Sequence, residues 1–113
     1  FYLMSRWISL NLNKDFRRLY YKGKQQVDPQ LVTYAMKNRL GVIRIGITTS
    51  KKIGNAVARN RARRIIRACY SQIEPQVPKG WDFVFVARSK TTQIKSTDLL
   101  PVIKKHVETL TKN

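Results

Sequence analysis

The sequence predicts an α/β sandwich (α+β) in which helices pack against a single four-stranded sheet, with the element order αβββαβα. Apolar residues recur at helical spacing in three separate segments, near the beginning, the middle and the end of the chain. Between these segments, three isoleucines alternate with other residues as in a strand, and residues 81–87 form the short apolar run of a buried strand. With 113 residues, 42% of them hydrophobic, the chain is predicted to form one domain over 1–113, with residues 1–11 as a candidate extension.

The first predicted elements are a helix and a short edge strand. Asn13 is expected to cap the helix, because its side chain can accept from a free N–H group, and Gly23 is expected to end it. A short edge strand over residues 25–27 follows, and the Asp28-Pro29 turn signal closes it.

Two longer strands come next, joined by a predicted hairpin turn over residues 38–41. The first of them, residues 31–37, is rich in strand-forming side chains. One face of the second strand is apolar and consists of Ile43, Ile45 and Ile47. Its other face is small and polar, which is unusual for a sheet covered on both sides, and consists of Arg44, Gly46 and Thr48.

The second half of the chain predicts a basic helix, the strand Trp81–Ala87 and a last helix. Residues 88–96, rich in Ser, Thr and Lys, predict a mobile loop. Thr97 or Asp98 is expected to cap the last helix. The apolar stripe of this helix consists of Leu100, Ile103, Val107 and Leu110.

The run from Lys51 to Arg67 is the most informative segment, because seven of its residues are Lys or Arg and none is acidic. Asn55 is expected to cap a helix here. One narrow arc of that helix is apolar and consists of Ala58, Ala62, Ile65, Ile66, Cys69 and Ile73. The opposite side consists of Arg59, Asn60, Arg63, Arg64 and Arg67. Cations this dense repel one another unless phosphate or solvent lies against them, so the pattern predicts a helix with one face offered to nucleic acid.

The charge of the whole chain also favours a polyanionic partner. The chain has 23 basic and 6 acidic residues, a formal net charge of +17, and no acid between Asp28 and Glu74. An anionic membrane would attract this charge too, but helices that bind membrane surfaces carry bulky Leu, Phe or Trp on their apolar side. Here the stripe begins with two alanines, so nucleic acid is the better partner and no membrane partner is expected.

The residues offer little catalytic equipment. The six acids are scattered along the chain and do not suggest the convergent carboxylates of a two-metal nuclease. His106, the only histidine, lies beside an apolar stripe and is predicted to be structural or surface rather than a general base. One Cys and one His cannot form a zinc site.

Cysteine usage predicts a cytoplasmic protein. The single cysteine, Cys69, is predicted to be a core thiol, so no disulfide-linked partner is expected. The apolar start over Phe1–Leu10 is short, carries Arg6 and lacks a small-residue cleavage signature, so it is not predicted to be a signal peptide.

The basic segment Ser50–Arg67, with its central Arg-Asn-Arg at positions 59–61, closely resembles the signature of the bacterial ribonuclease P protein subunit. Three shorter segments fall where that family has equivalents: Asn13–Phe16, Val32–Tyr34 and Arg44–Ile47. The resemblance covers roughly Leu12 to Arg88, and the chain length and basic charge agree with it.

The resemblance implies the protein component of an endoribonuclease in which an RNA subunit is the catalyst. In that family the RNA binds most of the Mg²⁺ and removes the 5′ leader from precursor tRNA, while the protein helps to bind substrate and metal ions. No catalytic residue is then expected in the protein, and the protein alone is not expected to cleave. The resemblance also implies a left-handed strand–helix–strand connection, against the general right-handed rule.

Two binding surfaces follow from the resemblance. One faces the catalytic RNA and the substrate near the cleavage site, and the matching positions are Lys51, Lys52, Asn55, Arg59, Asn60, Arg61, Arg63, Arg64 and Arg67. The other is a cleft for the single-stranded leader, and the matching positions are Phe16, Tyr20, Val32, Tyr34 and Thr48. Aromatic rings beside cations suit sequence-tolerant stacking on unpaired bases, although the residues without the resemblance favour ordinary core.

Two other functions remain compatible with parts of the sequence. A ribosomal or RNA-chaperone-type protein without a processing role is the alternative, because any compact basic α/β domain could bind RNA in that way. A self-sufficient endonuclease comes third, and the scarcity of acidic residues argues against it.

Overall fold

The computed structural model describes residues 7–112, so residues 1–6 of the candidate extension lie outside the described part. That part contains five strands and three α-helices. In chain order they are β1 (Trp7–Ser9), α1 (Asn13–Lys22), β2 (Lys24–Asp28), β3 (Leu31–Lys37), β4 (Ile43–Thr48), α2 (Ala56–Ile73), β5 (Trp81–Ala87) and α3 (Ser96–Thr111).

The strands form one mixed sheet in the order β1-β4-β5-β3-β2. β4 is parallel to both β1 and β5, whereas β3 is antiparallel to both β5 and β2. The prediction of four strands is therefore wrong, and the order αβββαβα lacks the leading strand. β1 has three residues, which is too short to display a strand period, and its pairing with β4 places Trp7 opposite Ile43 and Ser9 opposite Ile45.

Two layers of helix cover the sheet. α2 and α3 pack on one face and enclose the larger core, whose members include Leu31, Ile45, Ile66, Phe83, Phe85, Leu99 and Ile103. α1 packs on the other face over a smaller cluster formed by Leu10, Leu19 and Val84, with Phe16, Tyr34, Met36 and Val86 at its margin. The small polar face of β4 is thus the face that α1 only partly covers.

The connection from β4 through α2 to β5 is left-handed. Ile45 shares a core with α2, and its carbonyl oxygen accepts from the Leu10 N–H, on the β1 side of β4. Consider a strand that runs upward and is seen from the side to which an L-residue points its side chain: the N–H and C=O groups of that residue point to the viewer's right. Seen from α2 in this way, β1 lies to the right of β4 and β5 lies to its left. A crossover to the left is left-handed, which is the exception to the right-handed rule that the family resemblance implies.

Two predicted helix caps are wrong. The cap residue of α1 is Leu12 rather than Asn13, and that of α3 is Lys95 rather than Thr97 or Asp98; neither side chain caps its helix. An acidic residue in the first turn of each helix complements the helix dipole instead. At the other end of α1, Gly23 is the C-cap as predicted, and its N–H donates to the Leu19 carbonyl.

The loop predicted over residues 88–96 contains a short 3₁₀ turn, Ser89–Gln93. Thr91 anchors this turn, because its buried hydroxyl donates to the Gln30 carbonyl at 2.6 Å. In α3, Leu99 is fully buried and Leu100 only partly, so the buried stripe begins one residue earlier than predicted.

Candidate nucleic-acid interface

The start of α2 is built as the sequence predicts. Asn55 is the N-cap, and its side-chain oxygen accepts from the Ala58 N–H at 3.0 Å. Lys51 and Lys52 lie exposed on a 3₁₀ turn between β4 and this cap. Arg59 bends back to donate to the Gly54 carbonyl at 3.0 Å, which joins the turn to the first turn of the helix.

The cations of α2 occupy two flanks rather than one face. Arg61 and Arg64 line a hollow of about 550 Å³ between α2 and the segment that leads into α3. Arg63 and Arg67, one turn apart, line a different hollow beside the end of β1. Asn60 is exposed, and its side-chain oxygen accepts from Arg63 at 3.3 Å. The sequence predicts these cations on one surface, whereas the structure directs them to two sides of α2.

No carboxylate neutralises these arginines within the part of the chain that the structure describes. Each ion pair found there belongs to Arg18, Arg44, Lys105 or His106. The exposed members of the α2 motif are Asn60, Arg61, Arg64 and Arg67, and Arg59 and Arg63 are half-buried. The uncompensated charge of this helix favours an anionic partner.

A groove of about 510 Å³ lies on the opposite face of the sheet, between α1 and the end of β4. Phe16, Tyr20 and Thr48 line it, and the Tyr20 hydroxyl donates to Thr48 Oγ1 at 3.3 Å. Gly46 makes room for the groove wall, because a Cβ there would lie 2.5 Å from Cε1 of Phe16. Three of the five positions predicted for the leader cleft thus meet in one groove.

The other two predicted positions extend the same face along the sheet. Tyr34 meets Tyr20 edge to face, with ring centroids 5.0 Å apart. Val32 lies in register with Val86 of β5, which in turn lies in register with Thr48 of β4. All three of these residues are half-buried, so the two valines continue the floor of the groove beyond Thr48.

Two residues of the groove were not predicted as site residues. Asn13 and Arg17 line it with Phe16 and Tyr20. The sequence carried a signal for both, since positions 13, 17 and 20 share one side of a helix. In the sequence, Asn13 is predicted as a helix cap, and Arg17 is one of 23 basic residues.

Two of the scattered acids converge, contrary to the sequence-based expectation. Arg44 forms a two-point contact with the fully buried Asp82, at 2.8 Å and 2.6 Å, and lies 3.9 Å from Asp15. Arg18 approaches both carboxylates, at 3.7 and 3.9 Å. The two carboxylates that converge here are therefore paired with guanidinium groups. Nowhere among residues 7–112 do three His, Cys, Asp or Glu side chains gather as a metal site would require.

His106 sits in a relay that resembles a catalytic triad but is closed to solvent. Its Nδ1 lies 2.8 Å from the Thr33 hydroxyl and its Nε2 lies 2.6 Å from the Asp28 carboxylate. Thr33 and His106 are fully buried, so no substrate reaches the hydroxyl. Burial lowers the pKa of His106, while the hydrogen bond from His106, followed by that from Lys105, lowers the pKa of Asp28. The structural role predicted for His106 is confirmed.

Cys69 is a core thiol, as predicted. It is fully buried and its Sγ donates to the Ser96 carbonyl at 2.9 Å. Burial raises its pKa to about 11, which keeps it a thiol. Within the described range, none of the helices has the length and apolar character needed to cross a membrane.

The chain is similar to known proteins in sequence and in fold. A family model described as Ribonuclease P matches residues 4–111. The ribonuclease P protein component of Clostridioides difficile (strain 630) is 40% identical over 97 residues, which cover 83% of this chain and 85% of that protein. The counterpart in Pelotomaculum thermopropionicum is 43% identical over 86 residues, covering 76% and 77%. The solved structure of the Staphylococcus aureus RNase P protein is 28% identical, covers 91% of this chain and 94% of its own, and has a TM-score of 0.81.

Proposed function

Because the chain belongs to the ribonuclease P protein family, we propose that it is the RNA-binding protein subunit of ribonuclease P and assists the catalytic RNA in removing the 5′ leader from precursor tRNA in the cytoplasm. The observation that carries this proposal is the pairing of an arginine-rich helix with an aromatic groove on opposite faces of one small sheet. The protein supplies binding surfaces, and the bond-breaking chemistry belongs to the RNA.

The α2 motif and the preceding turn bind the phosphates of folded RNA. A guanidinium group offers five N–H donors in a planar fork that matches two phosphate oxygens, and it remains charged at every physiological pH. Arg61 and Arg64 present such forks to solvent, and Lys51 and Lys52 add charge beside the helix N-terminus. With no carboxylate of the described chain in competition, these groups contact the catalytic RNA and the substrate near the cleavage site.

The groove beside α1 binds the single-stranded leader. Stacking of an unpaired base on an aromatic side chain contributes roughly 1–3 kcal/mol per base and tolerates any sequence, which suits leaders that differ between tRNAs. Tyr20 and Tyr34 offer rings, and the Thr48 hydroxyl offers a polar contact at the groove end. Arg17 stands on the groove rim, where it meets the phosphates of a strand lying in the groove.

Mg²⁺ is bound mainly by the RNA subunit in this proposal. Among residues 7–112, the carboxylates that converge on the groove side of the sheet are Asp15 and Asp82, and both pair with Arg18 and Arg44. The protein therefore raises metal-ion affinity indirectly, because its cations reduce repulsion among RNA phosphates and leave the ions in the sites that the RNA forms.

Reconstitution tests the proposed function directly. Purified protein is incubated with precursor tRNA, with and without a bacterial ribonuclease P RNA, at low magnesium concentration. We expect no cleavage by the protein alone and faster cleavage by the RNA when the protein is present. Cleavage by protein alone would establish a self-sufficient nuclease, and RNA binding without any effect on cleavage would favour the ribosomal or chaperone alternative.

Matched tyrosines on α1 test the leader groove. Tyr20 lines the groove, whereas its neighbour Tyr21 is 86% exposed and is not one of the residues that line it. Tyr20→Ala should reduce the preference of the assembled enzyme for long-leader over leaderless precursor by about tenfold, since roughly 1–3 kcal/mol of stacking is lost. Tyr21→Ala should change this preference little. Equal losses in both variants, measured as substrate dissociation constants, would contradict the groove assignment.

A further inference from the structure

A polar hollow of about 170 Å³ lies where β1 ends against β4 and α2. Ser9 and Asn11 form one wall, and Arg63 and Arg67 form the other. The first wall exists only because β1 adds a fifth strand to the sheet. Trp7 holds that strand against α2 through an edge-to-face contact with Tyr70, with ring centroids 6.2 Å apart. One wall of the hollow is therefore fixed by the sheet itself.

The floor of the hollow is an open strand edge. Leu10 N–H donates to the Ile45 carbonyl, and this is the last hydrogen bond that the described chain makes to β4 on this side. Ile47, two residues further, directs its N–H and C=O toward the same edge, because alternate residues of a strand bond to the same neighbour. Since β1 has ended, the Ile47 amide faces the hollow that Ile47 lines.

The two arginines leave most of their donors free. Arg63 is half-buried and uses one N–H toward the Asn60 side chain, while Arg67 is exposed. Neither makes an ion pair with a carboxylate of residues 7–112. Side chains four residues apart on a helix lie on the same side, so both guanidinium groups can approach one anion in the hollow.

We infer that this hollow binds one phosphate of an RNA backbone, held by Arg63, Arg67, the Asn11 amide and the Ile47 N–H. Pockets that enclose whole ligands are usually 300 Å³ or larger, so the hollow admits a phosphate group but no nucleoside. The inference rests on the proposed function, which supplies the RNA. It adds that α2 grips RNA on its β1 flank at a defined phosphate, while Arg61 and Arg64 act on the other flank.

Binding of inorganic phosphate to the protein alone tests the hollow without RNA. In two-dimensional NMR spectra of the labelled protein, phosphate should shift the Ile47 amide, the Asn11 side-chain amide and the Arg63 and Arg67 Nε–H signals. The corresponding signals of Arg61 and Arg64 should shift less. Shifts confined to residues outside the hollow would overturn the inference.

A carboxylate placed in the hollow tests its use by RNA. Asn11→Asp keeps the side-chain shape, pairs with the arginines and repels phosphate, whereas Gln72→Glu makes the same charge change at an exposed position toward the end of α2. Asn11→Asp should weaken RNA binding about tenfold relative to Gln72→Glu, because charge-assisted hydrogen bonds are lost. Circular dichroism of both variants checks that they are folded.

Two arms of this experiment identify the source of the phosphate. One arm measures the affinity of the protein for the catalytic RNA, and the other measures the affinity of the assembled enzyme for precursor tRNA. A loss in the first arm assigns the phosphate to the catalytic RNA, and a loss only in the second assigns it to the substrate. Equal affinities for Asn11→Asp and Gln72→Glu in both arms would refute the hollow, whereas failure of the unmodified protein to bind either RNA would refute the proposed function itself.

Discussion

Gly46 is the residue that joins the structure of the sheet to the shape of the leader groove. It lies in β4 on the face toward α1, where the Phe16 ring packs directly over its backbone. Any side chain would place its first carbon 2.5 Å from Phe16 Cε1 and 3.3 Å from Leu10 Cβ. The absence of a side chain at one position therefore determines where an aromatic wall of the groove lies.

Replacing Gly46 should damage both stability and the groove. Gly46→Ala forces the Phe16 ring to move, and overpacking of this kind usually costs about 1–3 kcal/mol. Urea unfolding measures the loss, and a double-mutant cycle with Phe16→Ala identifies its cause. The alanine at 46 should cost much less when Phe16 is absent, since the clash is removed. Additive losses would show that Phe16 is not the obstacle.

His106 should give the protein a pH-dependent stability near neutrality. A neutral ring satisfies both of its contacts, since Nε2–H donates to Asp28 and Nδ1 accepts from Thr33, and burial lowers its pKa. The unfolded chain takes up a proton at this histidine near pH 6.5, whereas the folded chain takes it up only at a lower pH. Stability should therefore be present above pH 6.5 and fall below it, by at most about 1.4 kcal/mol per pH unit.

The single histidine makes this prediction easy to check. His106→Gln removes the only imidazole of the chain, so its free energy of unfolding should be nearly constant between pH 5.5 and 7 even if its absolute stability is lower. Chemical denaturation at several pH values gives both curves. A variant that keeps the slope of the parent protein would exclude His106 as its source.

At the scale of elements, α2 depends on a cap that belongs to the RNA-binding motif itself. Asn55 was predicted both as an N-cap and as an RNA contact, and the structure engages its side-chain oxygen with the Ala58 N–H. Its amide nitrogen can still donate to phosphate. The cap therefore fixes the direction in which the first turn and Arg59 point.

Substitutions at Asn55 should separate the two roles. Asn55→Ala should destabilise the protein by about 1 kcal/mol, because an N–H of the first turn loses its partner. Asn55→Asp should keep the cap and the stability, yet bind RNA less tightly because it places a carboxylate beside the phosphate contacts. Thermal unfolding and RNA titration of the two variants measure these effects. Equal stability of the alanine variant and the parent would contradict the capping role.

Elements whose own residues form a regular pattern could be predicted from the sequence. Elements that form only by pairing with another strand could not. Residues 31–37 and 81–87 were predicted as strands with the bounds the structure has, and the alternating run from residue 43 was predicted as a strand that ends near residue 50 rather than at 48, because each segment carries its own pattern of strand formers or apolar side chains. β1 was missed, since Trp7–Ser9 becomes a strand only by pairing with β4. The sequence shows the small polar face of β4 but not its cause, which is that the Phe16 ring of α1 packs over Gly46.

The candidate site, like the fold, could be predicted only where the signal lies within one segment of the sequence. The arginines of α2 were recognised from sequence because their spacing and missing acids are local properties. Their separation into two flanks depends on β1 and the start of α3, which lie far away in the chain. Arg17 was overlooked because one cation among 23 is not distinctive until a groove lies beside it.

At the scale of the whole molecule, the basic charge is spread over two ends of the sheet. The turn that carries Lys51 and Lys52 lies just beyond the end of β4, and α2 follows it. At the other end, where β3 stops opposite the start of β5, a hollow of about 250 Å³ is lined by Lys22, Lys24, Lys37 and Lys112. The molecule measures 37 × 36 × 25 Å, whereas charges in physiological salt are screened over about 8 Å. Lysines at the far end therefore cannot substitute for local phosphate contacts.

Salt dependence should distinguish local contacts from total charge. The logarithm of the affinity for catalytic RNA should fall linearly with the logarithm of salt concentration, and each lost phosphate contact should reduce the slope by about 0.7–0.9. Arg61→Gln with Arg64→Gln should therefore flatten the slope by up to about 1.8, since two contacts are removed.

Lys22→Gln with Lys112→Gln removes the same charge at the other end of the sheet and should leave the slope nearly unchanged. Filter binding at several salt concentrations measures all three slopes. Equal flattening by the two double variants would mean that the RNA responds to the net charge of the domain and not to the arginines of α2.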